Sequence, residues 1–570
     1  MRKIAILDGY IDEPTCLGVP PYISPYPRYI AGAIRLHDKK NIVNYLTIDQ
    51  VRKYPENISH LAQNDLVIVI AGMSVPGRYL AGYPASPNEL KRILESLPVK
   101  KVLTGPAAKH GFGMQGGKKT KNADFLKKIF QLIIPGDAET VIYNYLENNL
   151  RPYEINTEEK RKNSSQIRAY ANLGSSIVKN HPNYPDYLIC EIETYRGCPR
   201  TIIGGCSFCS EPSKGLPDFR PINDIIEEIK CLYNNGIRHF RIGSQPCIFS
   251  YQSKEAGKKE FPKPNPEALE ELFSKIRKVA PDLKTLHIDN ANPGVIARYP
   301  DQSEKIAKTI IKYHTSGDVA AMGVESTDPV VIKQNNLKAD RQQIMSAIKL
   351  LNKVGKKTGK NGMPELLPGL NFVFGLKGET KKTYEMNYDF LKDIFKQNLL
   401  VRRINLRQII PIPNTKMEEI GNKIINKNKK HFIRFKKQVK ENIEQPMLKK
   451  MLPMGSIIRD VYTEKKDGNT VFGRQIGSYP LLIGIPGIKS LHEFIDVKTV
   501  DYGFRSITAI PNPLDINTAS RQTLEQIPGI GKKRAIKILL NRPFSNKKEL
   551  SQIFDDPEIY KKILKYVKIK

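Results

Sequence analysis

Three closely spaced cysteines are the residues of this sequence best suited to chemistry. Cys198, Cys206 and Cys209 lie in the run TYRGCPRTIIGGCSFCSEP, with the spacing Cys-x7-Cys-x2-Cys. Thiolates bind iron–sulfur clusters and zinc well, because both favour soft sulfur ligands. A structural zinc ion is normally held by four protein ligands, whereas a cluster held by three thiolates leaves one iron open. The triad therefore predicts a metal centre in a reducing compartment.

A zinc site is the alternative interpretation of the same loop. It would recruit Cys190 as a fourth thiolate, and seven residues separate Cys190 from Cys198. Cys190 lies inside the apolar run LICEIE, where a cysteine ordinarily serves as a small buried hydrophobe. The chain has 7 cysteines in 570 residues, and this sparse, odd number argues against a disulfide framework.

The cysteine loop resembles that of radical S-adenosylmethionine (SAM) enzymes. Their usual spacing is Cys-x3-Cys-x2-Cys with an aromatic residue before the last cysteine, a position that Phe208 occupies here. The extra residues, PRTIIGG, are expected to loop out without moving the ligands. The resemblance implies a [4Fe–4S] cluster on Cys198, Cys206 and Cys209, whose open iron holds the amino and carboxylate groups of SAM. Electron transfer to the sulfonium would then yield methionine and a 5′-deoxyadenosyl radical.

Three further motifs follow the order seen in that family. The run RIGSQP supplies a glycine-rich turn after the second strand, with Gln245 where the family commonly has Glu. GVES and its continuation TDPVVIKQNN come next, followed by FGLKGET. Glycines at such turns let the backbone approach a ligand closely. The residues that the resemblance places at SAM are Phe208, Gly243, Ser244, Gln245, Glu325, Ser326, Gly375 and Glu379.

Alternating strand and helix patterns predict an α/β protein with two parallel sheets. Residues 186–415 contain six β-rich runs separated by helical stretches, which predicts a parallel barrel or part-barrel, the radical SAM core. Chemistry in such folds sits at the carboxyl ends of the strands. Residues 1–150 show the same alternation and predict a Rossmann-like domain, with helices over 124–132 and 140–150. A polar linker, residues 151–185, joins the two.

The amino-terminal domain resembles one that precedes the barrel in two groups of these enzymes. One group binds cobalamin through an Asp-x-His-x-x-Gly loop, which neither His37 nor His110 matches. The other group holds a second cluster on three cysteines, but this domain has only Cys16. We therefore expect a degenerate domain that carries no cofactor.

The sequence after residue 415 predicts three units that are basic or that bind nucleic acid. Residues 416–457 form a basic helical connector, and residues 458–510 have the short strands of a small β-barrel that resembles the RNA-binding TRAM domain. Its candidate contacts, about half of which should instead fill the core, are Phe472, Arg474, Tyr479, Tyr502, Phe504 and Arg505. Residues 511–570 match a helix–hairpin–helix motif around PGIGKKR. The turn offers backbone N–H groups and charge to a phosphate through Pro528, Gly529, Gly531, Lys532, Lys533 and Arg534.

The net charge favours a polyanionic partner, and the hydropathy argues against a membrane-spanning protein. The formal net charge is +33, and a basic surface of this size attracts polyanions. No apolar run approaches the ~18 residues that a membrane-spanning helix needs. Asp8 interrupts the amino-terminal apolar run, so no secretory signal is expected and the predicted location is the cytoplasm.

The arrangement of these domains resembles an archaeal-type radical SAM family with a carboxyl-terminal helix–hairpin–helix, and the resemblance implies a radical SAM enzyme. Its expected substrate is a nucleic acid, RNA ahead of DNA, and its expected electron donor is a protein such as ferredoxin or flavodoxin. A radical SAM enzyme acting on a protein or small molecule is the first alternative. A non-catalytic, zinc-stabilised nucleic-acid-binding protein is the second. The modification, the oligomeric state and whether SAM is consumed or regenerated stay open.

Overall fold

The amino-terminal region is built on a five-stranded parallel sheet, as a computed structural model describing residues 1–10, 21–72, 83–113 and 116–569 shows. The run Leu66–Ile70 is buried along its whole length, which suits a central strand covered by helices on both faces. The sheet order is β3-β1-β4-β5-β6, formed by β1 (Lys3–Asp8), β3 (Ile42–Thr47), β4 (Leu66–Ile70), β5 (Lys100–Thr104) and β6 (Leu132–Ile133), while β2 (Tyr22–Ile23) lies elsewhere.

Seven helices accompany this sheet in the described residues. They are α1 (Pro25–His37), α2 (Ile48–Lys53), α3 (Asn57–Ala62), α4 (Pro87–Leu94), α5 (Pro106–His110), α6 (Ala138–Glu147) and α7 (Ile167–Gly174). The helix predicted over 124–132 is reduced to a 3-10 turn at Asp124–Leu126. The later part of that run instead leads into β6, because its apolar residues fill the edge of the sheet. Cys16 lies outside the described residues.

The second sheet curves into a parallel half-barrel. The strand next to β10 is interrupted at Asp289 and is therefore divided into β11 and β12. The strands form two groups, in the order β11-β10-β7-β2 and β12-β13-β14-β15. The strands are β7 (Ile189–Glu193), β10 (His239–Gly243), β11 (Thr285–Ile288), β12 (Asn290–Ala291), β13 (Asp318–Glu325), β14 (Leu366–Phe374) and β15 (Arg403–Gln408), with the short antiparallel pair β8 (Tyr195–Arg196) and β9 (Asp218–Phe219) after β7. At one edge, β2 from the amino-terminal region pairs with β7.

Helices cover the outside of the half-barrel and return the chain between strands. They are α8 (Ile222–Asn234), α9 (Pro266–Val279), α10 (Pro293–Arg298), α11 (Pro300–Tyr313), α12 (Pro329–Gln334), α13 (Arg341–Gly355) and α14 (Lys381–Lys396). Local signals fix several of their starts. Asp340 accepts a hydrogen bond from the Gln343 backbone N–H, and the Gln343 side chain accepts one from Asp340 N, a capping box that begins α13.

A long basic helix connects the half-barrel to a small barrel. Helix α15 (Lys423–Val439) continues through a π-helical turn, Lys440–Glu444, into α16 (Gln445–Met451). The closed barrel that follows has the order β16-β17-β18-β20-β19 and consists of β16 (Ile457–Asp467), β17 (Thr470–Gln475), β18 (Leu482–Pro486), β19 (Phe494–Tyr502) and β20 (Ser506–Pro511). It packs under the half-barrel, where Ser478 N donates to His287 Nδ1 at 3.0 Å.

The carboxyl-terminal unit is helical and has its own apolar core. It contains α17 (Arg521–Leu524), α18 (Lys532–Leu540), α19 (Lys547–Ser551) and α20 (Pro557–Ile563), with β21 (Leu514–Asp515) pairing β22 (Val567–Lys568). The predicted fold class, α/β with two parallel sheets, a small β-barrel and a helical end, is confirmed. Within the described ranges, no helix combines the length and apolarity needed to cross a bilayer.

Candidate active site

The cysteine loop lies beyond the carboxyl end of β7, between the paired strands β8 and β9. Gly197 turns the chain into the loop with φ +82, and a side chain there would lie 2.3 Å from the Leu216 carbonyl oxygen. Cys198 N then donates to Gly215 O at 3.1 Å, and Cys209 N donates to Cys206 O at 3.1 Å. These bonds close the loop on itself and hold three half-buried cysteines on one short segment.

Burial favours the protonated form of two of the thiols, those of Cys198 and Cys209, in the absence of a ligand. Burial raises the pKa of Cys198, and it raises the pKa of Cys209 to about 12; the neighbouring Cys206 adds to both effects. Because metals bind the thiolate, loading this loop must release protons. Across the described residues, no three His, Cys, Asp or Glu side chains form a group suited to a single metal ion.

Cys190, which a four-thiolate zinc site would need, lies apart from this loop. It is fully buried in the main apolar core of the protein. Burial raises the pKa of its thiol to about 12, and its charged neighbours are Arg28 and Glu228. The structure therefore places Cys190 in the role of a buried hydrophobe.

The insertion between the first two cysteines packs on the site instead of looping away from it. Residues Pro199–Ile203 form a 3-10 turn that buries Arg200 to 3% exposure. Arg200 Nη1 donates to Cys206 Sγ at 2.8 Å, while its Nε donates to Glu260 Oε1 at 2.9 Å. Asn336 Nδ2 fixes the other end of the insertion by donating to Gly205 O at 2.7 Å. The inserted residues thus bring a guanidinium to a cysteine sulfur.

A lysine that the sequence motifs did not reveal lies beside the same cysteines. Lys338 Nζ forms an ion pair with Glu325 Oε1 at 3.0 Å. Burial lowers the pKa of Lys338, but Glu325 and the cysteines Cys206 and Cys209 outweigh it and raise that pKa above its ordinary value. Gly323 makes room for the lysine, because a Cβ there would lie 2.2 Å from Lys338 Nζ. An ammonium group that is paired with Glu325 therefore lies close to two of the cysteines.

Gln245 offers an unused acceptor at the end of β10. Its side chain is 2% exposed, and its Nε2 donates to Ile242 O at 3.1 Å. Its Oε1 is buried and accepts no hydrogen bond from the described residues. The preceding residue, Ser244, has φ +57, a strained backbone that is concentrated at functional sites. Such an orphaned oxygen suits a ligand that brings an N–H donor, such as an amino group.

Of the other residues predicted at SAM, Phe208 packs beside the cysteines, whereas Glu379 and Ser326 bond within the protein. Phe208 packs beside the cysteines, in an apolar cluster with Val331 and Leu376. Glu379 is occupied by the protein itself, because it accepts hydrogen bonds from Gly375 N at 2.6 Å and Tyr384 Oη at 2.5 Å. Ser326 is likewise buried, and its Oγ accepts from the Asp328 backbone at 3.2 Å. Sequence order placed all of these near SAM, but the structure gives Glu379 and Ser326 internal partners.

Comparison with known proteins identifies the family of the half-barrel. Residues 192–391 match the family model described as "Radical SAM superfamily". This chain contains a radical SAM superfamily domain. Members of the family use a [4Fe–4S] cluster and SAM, and the protein is accordingly a radical SAM enzyme. Three thiols on one loop fit a cluster with one open iron, and the orphaned Gln245 oxygen suits the amino group of SAM.

Several relatives of this radical SAM enzyme span different shares of its length. An uncharacterised protein of Methanocaldococcus jannaschii is 50% identical over 89% of this chain and 92% of its own length. An uncharacterised protein of Archaeoglobus fulgidus is 42% identical over 97% of both chains. The ribosomal protein uS12 methylthiotransferase RimO of Carboxydothermus hydrogenoformans is 25% identical over 52% of this chain and 62% of its own.

Among solved structures, the cobalamin-dependent S-adenosylmethionine radical enzyme OxsB superposes with a TM-score of 0.49 and 11% identity. That match covers 76% of this chain and 56% of the OxsB chain.

The hairpin residues predicted to bind nucleic acid stand together on the surface of the enzyme. Gly529 turns the chain with φ +98, and a side chain at Gly531 would meet open space. Lys532 and Lys533, at the start of α18, are exposed. Arg534 instead folds back, and its Nη1 donates to Gly529 O at 3.1 Å. Pro528, partly buried, precedes this turn.

The small-barrel residues predicted to bind nucleic acid are placed differently. Arg474 is 0% exposed, and its Nε donates to Glu464 Oε1 at 2.9 Å, so its guanidinium is not on the surface. Tyr479 enters the half-barrel, where its hydroxyl donates to Asp289 Oδ1 at 2.7 Å. Arg505 is partly exposed and pairs with Glu444. Arg474, Tyr479 and Arg505 therefore bond to other parts of the protein, although the barrel motif alone would assign them to a ligand.

Proposed function

We propose that this radical SAM enzyme modifies a nucleic acid, RNA ahead of DNA. The observation that carries the proposal is the open, cationic turn before α18. There, Gly531 leaves room for close approach, and Lys532 and Lys533 stand exposed beside the first N–H groups of a helix. Backbone N–H groups and lysines in this arrangement favour a phosphate oxygen. We interpret residues 511–570 as a helix–hairpin–helix unit and residues 458–510 as a TRAM-like barrel.

The basic helix α15 supports the same partner. Seven side chains of α15 and the first side chain of the following turn are cationic and exposed, and none of the eight forms an ion pair with an acid among the described residues: Lys423, Lys427, Lys429, Lys430, Arg434, Lys436, Lys437 and Lys440. The helix begins beside the cysteine loop, because Ile425 shares an apolar cluster with Phe208. At 1.5 Å per residue, its 17 residues extend about 25 Å toward the small barrel. A polyanion along this face would therefore pass close to the candidate site.

Within the site, each group has a proposed role. Cys198, Cys206 and Cys209 would hold the cluster, and Gln245 Oε1 would accept from the amino group of SAM. Lys338 would attract the carboxylate of SAM, since an ammonium beside a half-buried site favours an anion. Arg200 would orient and electrostatically stabilise the Cys206 thiolate. The bound cluster and SAM supply reductive cleavage of the sulfonium, while the protein supplies orientation and exclusion of water.

The test is a comparison of nucleosides and of SAM cleavage. Anaerobically reconstituted enzyme should cleave SAM, and total tRNA nucleosides analysed by mass spectrometry with and without the gene should differ by one modification. Cys206→Ala should lose SAM cleavage, whereas Cys231→Ala should retain it, because Cys231 is a half-buried helical residue remote from the loop. Retained cleavage in Cys206→Ala would contradict the ligand assignment.

Binding of RNA should also depend steeply on salt, because each neutralised phosphate releases counterions. A filter assay should show weaker binding as salt is raised, and replacing Lys532 and Lys533 together by Gln should reduce the slope by about 2. Salt-independent binding would argue against the nucleic-acid substrate.

A protein substrate is the second candidate, and the relatives supply the reason. The RimO proteins are named as methylthiotransferases of ribosomal protein uS12, so a modified protein side chain is the outcome to compare. Intact-mass analysis of ribosomal proteins from the same two strains separates the candidates. A mass difference in a protein, with unchanged nucleosides, would favour this second function.

A further inference from the structure

A cavity lies at the opposite end of the half-barrel from the cysteine loop. It lies between the start of β15, helix α16 and the small barrel, and its volume is about 70 Å³. Parallel strands carry their catalytic loops at the carboxyl end, whereas this cavity begins at Val401 and Arg402, before β15 starts. With a rise of about 3.3 Å per residue, the six residues of β15 separate the two sites by about 20 Å.

Two arginines that line the cavity lack a carboxylate partner. Arg402 Nη2 donates to Tyr479 O at 2.9 Å, but its Nε is buried and has no partner among the described residues. Arg403 Nε donates to the neutral Asn405 Oδ1 at 2.7 Å, and its guanidinium lies 4.8 Å from the centre of the Tyr479 ring. Burial lowers the pKa of both to about 10, and for Arg403 the neighbouring arginines add to it.

A third arginine and one acid complete the polar lining. Arg505 Nε donates to Glu444 Oε1 at 2.8 Å, and its Nη2 donates to Ile404 O at 2.5 Å. Among the described residues around the cavity, Glu444 is the single carboxylate. Three guanidiniums thus face one negative charge. Buried cations need counter-charge to offset lost hydration, so the lining is short of anionic groups.

The remaining wall and the mouth suit an aromatic or apolar group next to the anion. Met447, Leu448 and Met451 form one apolar side, and flexible methionines adapt to a ligand more readily than branched residues do. Phe504 stands at the mouth with 38% exposure, and Lys440 Nζ lies 4.1 Å from its ring centre. Lys440 also ends the cationic face of α15, so the mouth continues a surface that attracts polyanions.

We propose that this cavity binds the phosphate group of a nucleotide, with the guanidiniums of Arg402 and Arg403 on the phosphate and Phe504 against the base. Guanidinium groups match phosphate oxygens in charge and geometry, and bases stack on aromatic rings whatever their sequence. The nucleotide is either one unit of a nucleic acid or a free mononucleotide. The first source rests on the proposed function, and a unit held here would lie several nucleotides from the reacting one.

The test measures binding to the full-length protein, without any requirement for SAM cleavage. Isothermal titration should detect AMP and a short single-stranded RNA, and adenosine should bind about tenfold more weakly than AMP because it lacks the phosphate. Two variants probe the cavity by different means. Arg403→Gln removes a charge, and Leu448→Trp fills the space without changing charge. Arg459→Gln is the control, since Arg459 lies on the outside of the small barrel with 50% exposure.

We expect each cavity variant to weaken AMP binding about tenfold or more, with thermal unfolding used to verify that the variants fold. If the RNA affinity falls in parallel, the source is a nucleic acid; if only AMP binding falls, the source is a free nucleotide. Failure of the wild-type protein to bind AMP, or equal AMP affinity in wild type and both variants, would overturn the proposal. Nucleoside mass spectrometry tests the proposed function separately and could succeed in that case.

Discussion

Two buried groups of arginines in this enzyme differ in how their charge is balanced. In the core, Arg28 and Arg220 are 0% exposed and share the carboxylate of Glu228, which is also 0% exposed. At the cavity, Arg402 and Arg403 have no carboxylate partner. Burial opposes the charge of Arg220, but Tyr29 and Glu228 outweigh it and raise its pKa, whereas burial lowers the pKa of Arg402 and Arg403.

A missing hydrogen bond is not what separates the two groups. Arg220 Nε has no partner among the described residues, just as Arg402 Nε has none. The difference lies in the contact with a carboxylate, since Glu228 pairs with both core arginines, whereas Glu444 pairs with Arg505 and leaves Arg402 and Arg403 to neutral partners. Buried guanidiniums that each contact a carboxylate hold elements of the fold together, while buried guanidiniums without such a contact are suited to an anionic ligand.

The largest expected effect comes from removing the shared carboxylate. Glu228→Gln leaves two guanidiniums buried without a counter-charge and should lower the free energy of unfolding by about 3–5 kcal/mol, measured by urea denaturation. Glu227→Gln is the matched control, because Glu227 pairs with Arg168 at the surface and should cost about 1 kcal/mol or less. Equal losses in the two variants would remove the distinction between a buried and an exposed partner.

Asp8 is a buried acid and can be compared with the buried arginines, because burial shifts its pKa in the opposite direction. Burial raises the pKa of Asp8 to about 6, although Tyr10 N and the Tyr45 hydroxyl donate to it. A carboxyl group with a raised pKa stabilises the fold fully below its unfolded pKa near 4, and that contribution is lost as the pH rises through about 6. Relative to Asp8→Asn, the wild-type protein should lose about 3 kcal/mol of unfolding free energy between pH 4 and 7. The exposed Asp467→Asn should show no such difference.

Arg200 extends the comparison to a guanidinium whose partner is sulfur. Arg200→Met removes a hydrogen bond and a positive charge from Cys206, and it should weaken cluster binding about 10–100-fold and lower the reduction potential. Iron and sulfide content after anaerobic reconstitution and an EPR-monitored redox titration measure the two effects. Arg298→Met is the control, because Arg298 stacks on the same Phe261 ring as Arg200. An unchanged potential in Arg200→Met would mean that the contact with sulfur has no electronic effect.

The smallest effect is expected at the cavity itself. Arg402→Met removes a buried charge that lacks a counter-ion and should raise the free energy of unfolding of the ligand-free protein by about 1 kcal/mol. Saturating AMP should then stabilise the wild type more than the variant, as urea denaturation with and without AMP would show. A loss of more than about 2 kcal/mol without ligand would instead make Arg402 a structural residue like Arg220.

The parts that could be predicted from the sequence are those whose signal is local. The cysteine spacing, the alternating strands and helices and the PGIG turn each lie within a short run of residues. Lys338 could not be recognised in this way, because the tertiary fold alone brings it to the cysteines. Arg200 lies in the loop itself, but its run of residues does not show that the insertion folds back and places the guanidinium at Cys206. Arg474 shows the opposite error, since a basic residue in a barrel motif was expected at a ligand and is buried against Glu464.

The pairing of β2 with β7 has a consequence for biosynthesis. Tyr22 and Ile23 bond to a strand that begins more than 160 residues later, so they leave the ribosome well before their partner does. An unpaired strand edge is prone to pair with other polypeptides. Here β2, which pairs with the edge of β7, is already synthesised when β7 emerges. A copy lacking residues 22–23 would be translated with β7 open to neighbouring polypeptides, and its first failure in the cell would be aggregation.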